Sequence, residues 1–322
     1  MARPHHRPAQ SVLSRRGIRH QRGIALMLVM WVLTLLTVMA VSLTATQRTE
    51  TALTENHVSG ARFRAVADAA IAYAALDFMV PPTAEQAEDA ETTWLPNGVP
   101  RTWSFGGSTL SIAVFNEMSK LNLNRAQPET LTNLLTVLGV SEEDATALAA
   151  AIVDWRDEDD AALLNGAEDA DYKEAGNAIG AKDDAYASVE ELRQVLGMSE
   201  EIYQRLLPEV TVDGESATPD ERFASPAVLA ALRGISLEEA VDEVAERDLT
   251  SIPGATAARA VDRGGPLYRI QVTEQGEDRA GRRMEALIQL AGGAQQGSPI
   301  QILWRRYDLS LQDPVYREPE SE

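Results

Sequence analysis

The chain lacks cysteine and is poor in histidine. None of its 322 residues is cysteine, and only four are histidine. Without cysteine there is no disulfide framework, no thiol nucleophile and no thiolate metal site. His5, His6 and His20 precede the first apolar stretch, which leaves only His57 in the rest of the chain. Neither a Gly-x-Ser-x-Gly motif nor a phosphate-binding glycine loop is present, so we expect a protein that is not an enzyme.

Positive charge is also scarce. Lys and Arg number 29 against 49 Asp and Glu, which gives a formal net charge of −20. Such a chain repels phosphate backbones, so nucleic acid is not an expected partner. Hydrophobic residues make up 44% and charged residues 24%. This composition is typical of a globular chain, long enough for about two domains.

One long apolar run lies near the start. Gly23 to Thr46 contains no charged side chain, and about 20 such residues in a helix cross the roughly 30 Å hydrocarbon core of a bilayer. Residues 1–22 contain arginines but no acid, so the positive-inside rule keeps this end in the cytoplasm. The run is too long for an ordinary secretory signal peptide. The sequence therefore predicts a single-pass protein with its bulk across the membrane.

A helical pattern continues beyond the apolar run, from Arg48 to Val80, and Pro81-Pro82 ends it. The two stretches together predict one helix of about 56 residues, roughly 85 Å long. Residues 83–100 are acidic and contain proline. We predict a loop there.

The sequence period then changes from helical to alternating. Arg101 to Glu117 alternates around Gly106-Gly107, which predicts a β-hairpin. Further strand-like runs lie late in the chain, at Pro266–Thr273, Arg283–Leu290 and Ile300–Tyr307, with helical patterns in between. The sequence predicts an α+β fold, in which a long N-terminal helix packs on a small antiparallel sheet and a large all-helical domain is inserted between strands.

Three segments of the helical part share one pattern. Leu138–Glu143, Leu196–Glu201 and Arg233–Glu239 each place a glycine after an apolar helix and a serine with acids before the next helix. Glycine can close a helix in the left-handed conformation, and serine can cap the next one. The pattern resembles helix-hairpin-helix modules, many of which bind DNA. Because acids flank these turns, we expect packing or protein contact instead.

Carboxylates are densest in Asp154–Asp160 and Gly166–Tyr172. Oxygen ligands on a loop suit a hard cation such as calcium, and so many carboxylates repel one another without one. The spacing is not that of an EF-hand, because the sixth residue counted from Asp157 is Ala162 instead of glycine. A solvated acidic surface loop is the alternative. The calcium hypothesis assigns as ligands Asp157, Asp159, Glu168 and Asp169.

The start of the chain resembles a prepilin leader. Gln21-Arg22-Gly23 before an unbroken apolar helix is similar to the cleavage and methylation motif of type IV pilins and type II secretion pseudopilins. In those proteins a prepilin peptidase cuts after the glycine, so the resemblance implies processing between Gly23 and Ile24. The fifth residue after the cut is generally Glu in those proteins. Counted from Ile24, the fifth residue of this chain is Leu28.

A second set of motifs carries a more specific resemblance. The stretches are Lys120–Ala126, Asp154–Asp159, Gly166–Asp169 with Tyr172, and Ser188–Leu192 with Leu196–Met198. They resemble the K-type minor pseudopilins of type II secretion systems, the GspK family. With the leader, the resemblance spans nearly the whole chain. It departs at Asp220–Pro226, where the family usually repeats an Asn-rich version of residues 122–126.

This resemblance implies an inner-membrane protein with its bulk in the periplasm, at the pseudopilus tip with other minor pseudopilins. It also implies calcium in the helical insert, which would be of the helix-hairpin-helix or SAM-like type. The implied domains are a leader at 1–23, a transmembrane segment at 24–46, a discontinuous pilin-like domain at 47–117 and 263–310, a helical insert at 118–262 and a tail at 311–322. The alternative is a membrane-anchored helix-hairpin-helix module of a type IV pilus or DNA-uptake system.

Overall fold

The computed structural model describes residues 22–80, 93–250, 263–275, 281–290 and 298–308. The predicted leader up to residue 21, residues 83–92 of the predicted loop, and the predicted tail lie outside the described residues. The chain divides into two compact units, Met1–Ala61 and Arg62–Glu322.

Helices and strands are arranged along the chain as the α+β prediction requires. The helices are α1 (Arg22–Met79), α2 (Pro128–Val137), α3 (Glu142–Asp154), α4 (Asp169–Glu174), α5 (Glu200–Leu206), α6 (Pro226–Arg233) and α7 (Leu237–Thr250). The strands are β1 (Arg101–Phe105), β2 (Ser108–Asn116), β3 (Leu121–Asn122), β4 (Val210–Thr211), β5 (Leu267–Glu274), β6 (Arg283–Leu290) and β7 (Ile300–Asp308). Short 3-10 helices cover Glu117–Ser119 and Val189–Gln194.

Helix α1 begins with an exposed apolar segment. Ala25–Thr44 has a mean hydropathy of 2.4, with none of it buried, so it is long and apolar enough to cross a membrane. The hydroxyls of Thr34, Thr37 and Thr44 each donate to the backbone carbonyl four residues earlier. These polar groups are therefore satisfied within the helix, as an apolar surrounding requires. The predicted long helix is confirmed, and it ends at Met79.

The second unit contains a five-stranded antiparallel sheet in the order β1-β2-β5-β6-β7. Strand β2 pairs with β5, with Ile112 opposite Val272, although the helical part lies between them in the sequence. Gly106 and Gly107 form the β1–β2 turn with φ of +57° and +74°, which glycine adopts without strain. The predicted hairpin and the predicted late strands are confirmed.

The C-terminal part of α1 covers one face of this sheet. Ala67, Ala70 and Ala74 on its buried side have no exposed surface. Because these side chains are small, the helix lies close to the strands, where Ile112 and Ile270 belong to the same core.

A buried ion pair lies between β5 and the turn after β2. Arg269 donates from Nε to Glu117 Oε2 at 2.9 Å, and Glu117 has no exposed surface. Burial alone would raise the pKa of Glu117, but the positive charges of Arg269 and Lys120 outweigh burial and lower that pKa. Trp304 of β7 lies beside the Arg269 guanidinium and donates from Nε1 to Asp213, just after β4, at 3.2 Å. Charged and polar contacts thus link the sheet to the helical part.

The three predicted turns of the helical part have the expected local geometry. Gly139, Gly197 and Gly234 have φ of +90°, +86° and +66°. Ser141 and Ser199 accept hydrogen bonds from the N–H groups of the helices that follow them. Glycine therefore ends one segment and serine caps the next. That these turns belong to the helix-hairpin-helix class stays a prediction.

Two features of the helical part differ from the sequence-based expectation. The segment before the second turn, Val189–Gln194, is a 3-10 helix instead of an α-helix. In addition, β3 and β4 pair as a short parallel ladder, with Leu121 opposite Val210. Sequence periodicity does not predict this ladder, because a strand of two residues has no repeat.

Candidate functional site

Asp154 organises the acidic loop between α3 and α4. It is the last residue of α3, and its side chain has no exposed surface. The Ala167 N–H donates to Asp154 Oδ2 at 2.8 Å, and the Leu163 nitrogen lies 3.2 Å from both carboxylate oxygens. The carboxylate therefore holds the loop against the end of α3. Burial raises the pKa of Asp154, and these two N–H donors only partly oppose the rise.

Two glycines make room for carboxylates around this loop. A Cβ on Gly166 would lie 1.8 Å from Asp154 Oδ2, and a Cβ on Gly180 would lie 1.6 Å from Asp169 Oδ1. Neither glycine is among those with positive φ. The requirement for glycine is therefore steric, because any side chain at either position would displace a carboxylate.

The four predicted calcium ligands lie in or next to this loop but differ in exposure. Asp157 is half-buried and Glu168 is buried. Asp159 and Asp169 are exposed, and Asp159 Oδ1 accepts from the Ala161 N–H at 2.9 Å. The structure thus turns Asp157 and Glu168 inward and leaves the other two at the surface.

Burial and mutual repulsion both disfavour the charged forms of the inward-facing carboxylates. Burial, followed by the negative charges of Asp154, Asp183 and Asp157, raises the pKa of Glu168 to about 7. Burial, followed by nearby carboxylates, also raises the pKa values of Asp157 and Asp183. One buried oxygen on each of Asp157, Glu168 and Asp183 accepts no hydrogen bond from the part of the chain that the structure describes. A bound cation would relieve both the repulsion and the missing contacts.

The chemistry of these donors fits calcium, but their positions do not form a ligand shell. Calcium binds carboxylate and carbonyl oxygens. As the side chains stand, no group of three or more Asp, Glu or His within the described ranges could hold one ion. Coordination by Asp157, Glu168 and Asp183 would therefore require these side chains to move toward one another.

Asp154 and Asp183 are the carboxylates of this cluster that the sequence-based ligand assignment leaves out. Asp154 belongs to the acidic run, but helical periodicity places it in α3. Asp183 follows later in the chain, with a left-handed φ of +55°, and its N–H donates to the Trp155 carbonyl at 3.1 Å. This long-range contact returns the Asp183 segment to the loop, and no local pattern predicts it.

The motif Lys120–Ala126, which contains Asn122 and Asn124 and is called here the Asn-rich stretch, holds the Asp183 segment in place. Asn124 Nδ2 donates to the Tyr186 carbonyl at 3.0 Å, and the Tyr186 N–H donates to Asn124 Oδ1 at 2.7 Å. The Tyr186 hydroxyl in turn donates to the Ile152 carbonyl of α3 at 3.0 Å. Arg156 donates to two carbonyls of the same Asn-rich stretch. The motif therefore positions both sides of the acidic loop.

The start of α1 is the second candidate feature. The predicted processing residues Gly23 and Ile24 lie within this helix, which begins at Arg22. Leu28 lies in the apolar segment and is 61% exposed. Cleavage after Gly23 stays a prediction.

Comparison with known proteins identifies one family. The family model described as "Type II secretion system (T2SS), protein K" matches residues 113–214. Type II secretion system protein K of Klebsiella pneumoniae is 32% identical over 206 residues, which are 59% of this chain and 62% of that relative. The protein of the same name from Pseudomonas aeruginosa is 30% identical over 230 residues, which are 66% of this chain and 68% of that relative.

A solved structure agrees with this chain in fold. A chain from the crystal structure of the GspK-GspI-GspJ complex of enterotoxigenic Escherichia coli matches with a TM-score of 0.53 and 18% identity, covering 80% of this chain and 99% of that chain. This likeness extends to the fold alone. The identity to the Pseudomonas aeruginosa relative, by contrast, extends over two thirds of that protein. The chain belongs to the type II secretion system protein K family.

Proposed function

We propose that this protein is a minor pseudopilin of a type II secretion machine, with α1 anchored in the inner membrane and the bulk of the chain in the periplasm. The observation that carries the proposal is α1, which continues from the exposed apolar segment Ala25–Thr44 to the residues that pack on the sheet. Arginines before the segment favour this orientation. The proposed role is structural and not catalytic. Its partners are proteins, because a net charge of −20 disfavours nucleic acid.

The proposed position is the tip of the pseudopilus. Leu28 stands where pilin-like proteins generally carry Glu, which can pair with the N-terminal amine of a neighbouring subunit. An ammonium in hydrocarbon costs several kcal/mol unless it is compensated. Leu28 cannot compensate a neighbour's amine, whereas the amine of Ile24, freed by prepilin peptidase, can be met by the Glu of another subunit. This subunit can therefore end a filament but should not repeat along it.

Two further observations support a terminal position with other minor pseudopilins. The helical part inserted between β2 and β5 is large enough to crowd a subunit stacked on it. The solved Escherichia coli relative is part of a complex with GspI and GspJ. We extend this kind of assembly to the present chain.

Counting copies tests the tip position. Labelled mass spectrometry of sheared pseudopili should give a single copy per filament, and an immunogold tag should mark one end. Leu28→Glu alone should leave the count unchanged, since the helical part still blocks stacking. Leu28→Glu with residues 118–262 replaced by a short linker should incorporate repeatedly. Wild-type protein along the shaft would refute the tip position.

We also propose that the acidic loop binds calcium. Asp157 and Glu168 are supported as ligands because each has a buried oxygen without a hydrogen-bond donor, and Asp183 joins them on the same ground. Asp159 and Asp169 would complete the set from the exposed side. When bound, the dication would offset both the burial and the repulsion from neighbouring carboxylates that raise the pKa of Glu168.

Melting of the full chain in detergent tests the calcium site. Binding to the native state alone stabilises it by about 2.7 kcal/mol at a hundredfold excess over Kd. The melting temperature should rise with calcium chloride and return to its starting value with chelator. Glu168→Ala and Asp157→Ala should each reduce the rise, whereas Glu158→Ala, exposed in the same loop, should keep it. Equal melting temperatures with and without calcium would refute the site, and a rise that survives both ligand substitutions would refute the ligands.

A further inference from the structure

A groove opens between the first two turns of the helical part. Gly139 and Ser141 of the first turn line it together with Gly197 and Ser199 of the second turn. Its volume is about 640 Å³, which falls within the range of about 300–1,000 Å³ found for ligand pockets in proteins. None of the proposed calcium ligands lines it. The repeated turn motif thus builds a groove that the proposed function does not use.

The floor of this groove is apolar. Leu148 and Ala151 of α3 line it and are 4% and 3% exposed, and the half-buried Ala147 lies beside them on the same helix. A Cβ on Gly197 would lie 3.9 Å from Leu148 Cδ1, so the second turn packs on this floor. Because alanine and glycine leave room here, a bulky apolar side chain from outside can be buried against Leu148.

Apolar surface continues beside the groove. Asn165 lines the groove, and the preceding Leu164 is 87% exposed, the highest fraction among the large apolar side chains that the structure describes. A single exposed leucine is ordinary on a protein surface. Next to an apolar groove, however, it enlarges the apolar area that a bound segment would cover.

The rim of the groove is negatively charged. Asp144 lines it, is exposed and accepts from the Ser141 hydroxyl at 2.7 Å. Glu142 and Glu143 precede it in the first turn of α3 and are exposed as well. Within the described ranges, none of these three carboxylates forms an ion pair. Their charge is therefore available to a cation of a partner, and complementary charge favours such a contact.

The positive charge among the described lining residues is already engaged. Arg205 donates to Glu201 and to the Leu138 carbonyl, the latter at 3.0 Å. It therefore has a carboxylate partner of its own and does not attract an anionic ligand. A phosphate backbone is disfavoured for the same reason, and the net charge of −20 adds to its repulsion. The groove thus favours a cation next to an apolar group.

We propose that this groove binds a segment of another polypeptide, which buries a bulky apolar side chain against Ala147 and Leu148 and pairs an adjacent lysine or arginine with Asp144. Lysine and arginine are the side chains that supply such a cation in proteins. The inference goes beyond the proposed function, because it depends on neither the tip position nor calcium.

Random peptides displayed on phage, selected on the full chain in detergent after counter-selection on detergent micelles, test the groove. Enriched peptides should share a bulky apolar residue next to lysine or arginine. Ala147→Leu should raise the Kd of a labelled synthetic copy by about tenfold or more, because the new side chain occupies the place of the anchor. Thr146→Leu, exposed on the same helix and outside the groove, is the matched control and should leave the Kd unchanged. Unchanged melting temperatures would show that both variants fold.

A second pair of variants tests the charge. Asp144→Asn should raise the Kd by about two- to fivefold, as loss of an exposed ion pair does, and the effect should fade at high salt. Glu129→Gln removes an exposed carboxylate at the start of α2 and changes the net charge equally, so it should leave the Kd unchanged. Equal effects of the two variants would mean that overall charge attracts the peptide, and the pairing with Asp144 would be wrong.

Other outcomes would overturn the groove itself. They are the absence of enriched peptides, enrichment of peptides without the shared pattern, and a Kd that Ala147→Leu changes no more than Thr146→Leu does. Labelled double-stranded DNA should not bind. DNA binding that Ala147→Leu abolishes would mean that the turns hold phosphate instead of a polypeptide. The proposed function would stand in each of these cases.

Discussion

Replacing Gly166 with alanine should unfold the acidic loop. The new Cβ would lie 1.8 Å from Asp154 Oδ2, so the carboxylate must move by roughly 1.5–2 Å to reach an ordinary contact distance of about 3.5 Å. Asp154 is the last residue of α3 and has no exposed surface. It cannot move that far and keep its hydrogen bonds to the loop.

The size of the effect follows from those hydrogen bonds. The displaced carboxylate loses the N–H donors of Leu163 and Ala167, and a hydrogen bond to a charged group contributes about 1.5–3 kcal/mol. We therefore expect Gly166→Ala to lower the free energy of unfolding by about 3–5 kcal/mol. It should also abolish the stabilisation by calcium, because Ala167 leads directly into Glu168.

Gly176→Ala is the matched control for this experiment. Gly176 has a positive φ of +83° and nothing within 4 Å of its Cβ position, so alanine there costs only the backbone strain of about 1–2 kcal/mol. Urea denaturation of the full chain in detergent, followed by tryptophan fluorescence, measures both variants. If Gly166→Ala costs no more than Gly176→Ala, or if calcium still raises its melting temperature, Asp154 does not organise the loop.

Three further predictions concern other residues. Because the pKa of Glu168 rises from 4.5 to about 7 on folding, this carboxyl favours folding below pH 4.5 and loses that contribution as pH rises through 7. With chelator present to remove calcium, Glu168→Gln should therefore stabilise the protein at pH 8 by about 1–2 kcal/mol after allowance for solvent screening. Glu158→Gln should not stabilise it, and a destabilised Glu168→Gln would contradict the prediction. Arg269→Met removes the hydrogen-bonded ion-pair partner of the buried Glu117 and leaves Lys120 as the compensating positive charge, so it should cost about 3–5 kcal/mol in urea denaturation, whereas adding Glu117→Leu should recover part of the loss. N-terminal sequencing should find Ile24 first in cells with prepilin peptidase, and an unprocessed start in those cells would leave only a plain membrane anchor.

The sequence by itself determines the local features of the fold, such as helix starts and tight turns, because each depends on only a few neighbouring residues. The apolar run makes α1 a membrane-competent helix because its length and lack of charge are local facts. Gly106-Gly107 sets the hairpin because only a positive φ makes that turn. Ser141 and Ser199 begin helices because each accepts from N–H groups next to it. The motifs at Lys120–Ala126 and in the acidic loop indicate the family, because they are continuous stretches of sequence.

Only the tertiary structure decides which carboxylates meet. Periodicity and capping say nothing about contacts between distant segments. The sequence therefore does not distinguish Asp159 and Asp169, which lie at the surface, from Asp157 and Glu168, which face inward. Asp183 joins the cluster through the Asn124–Tyr186 hydrogen bonds. Similarly, the pairing of β2 with β5 and of β3 with β4 is set by packing across the whole helical part. These contacts form because the chain buries its apolar faces together, and the burial brings distant polar groups to fixed places.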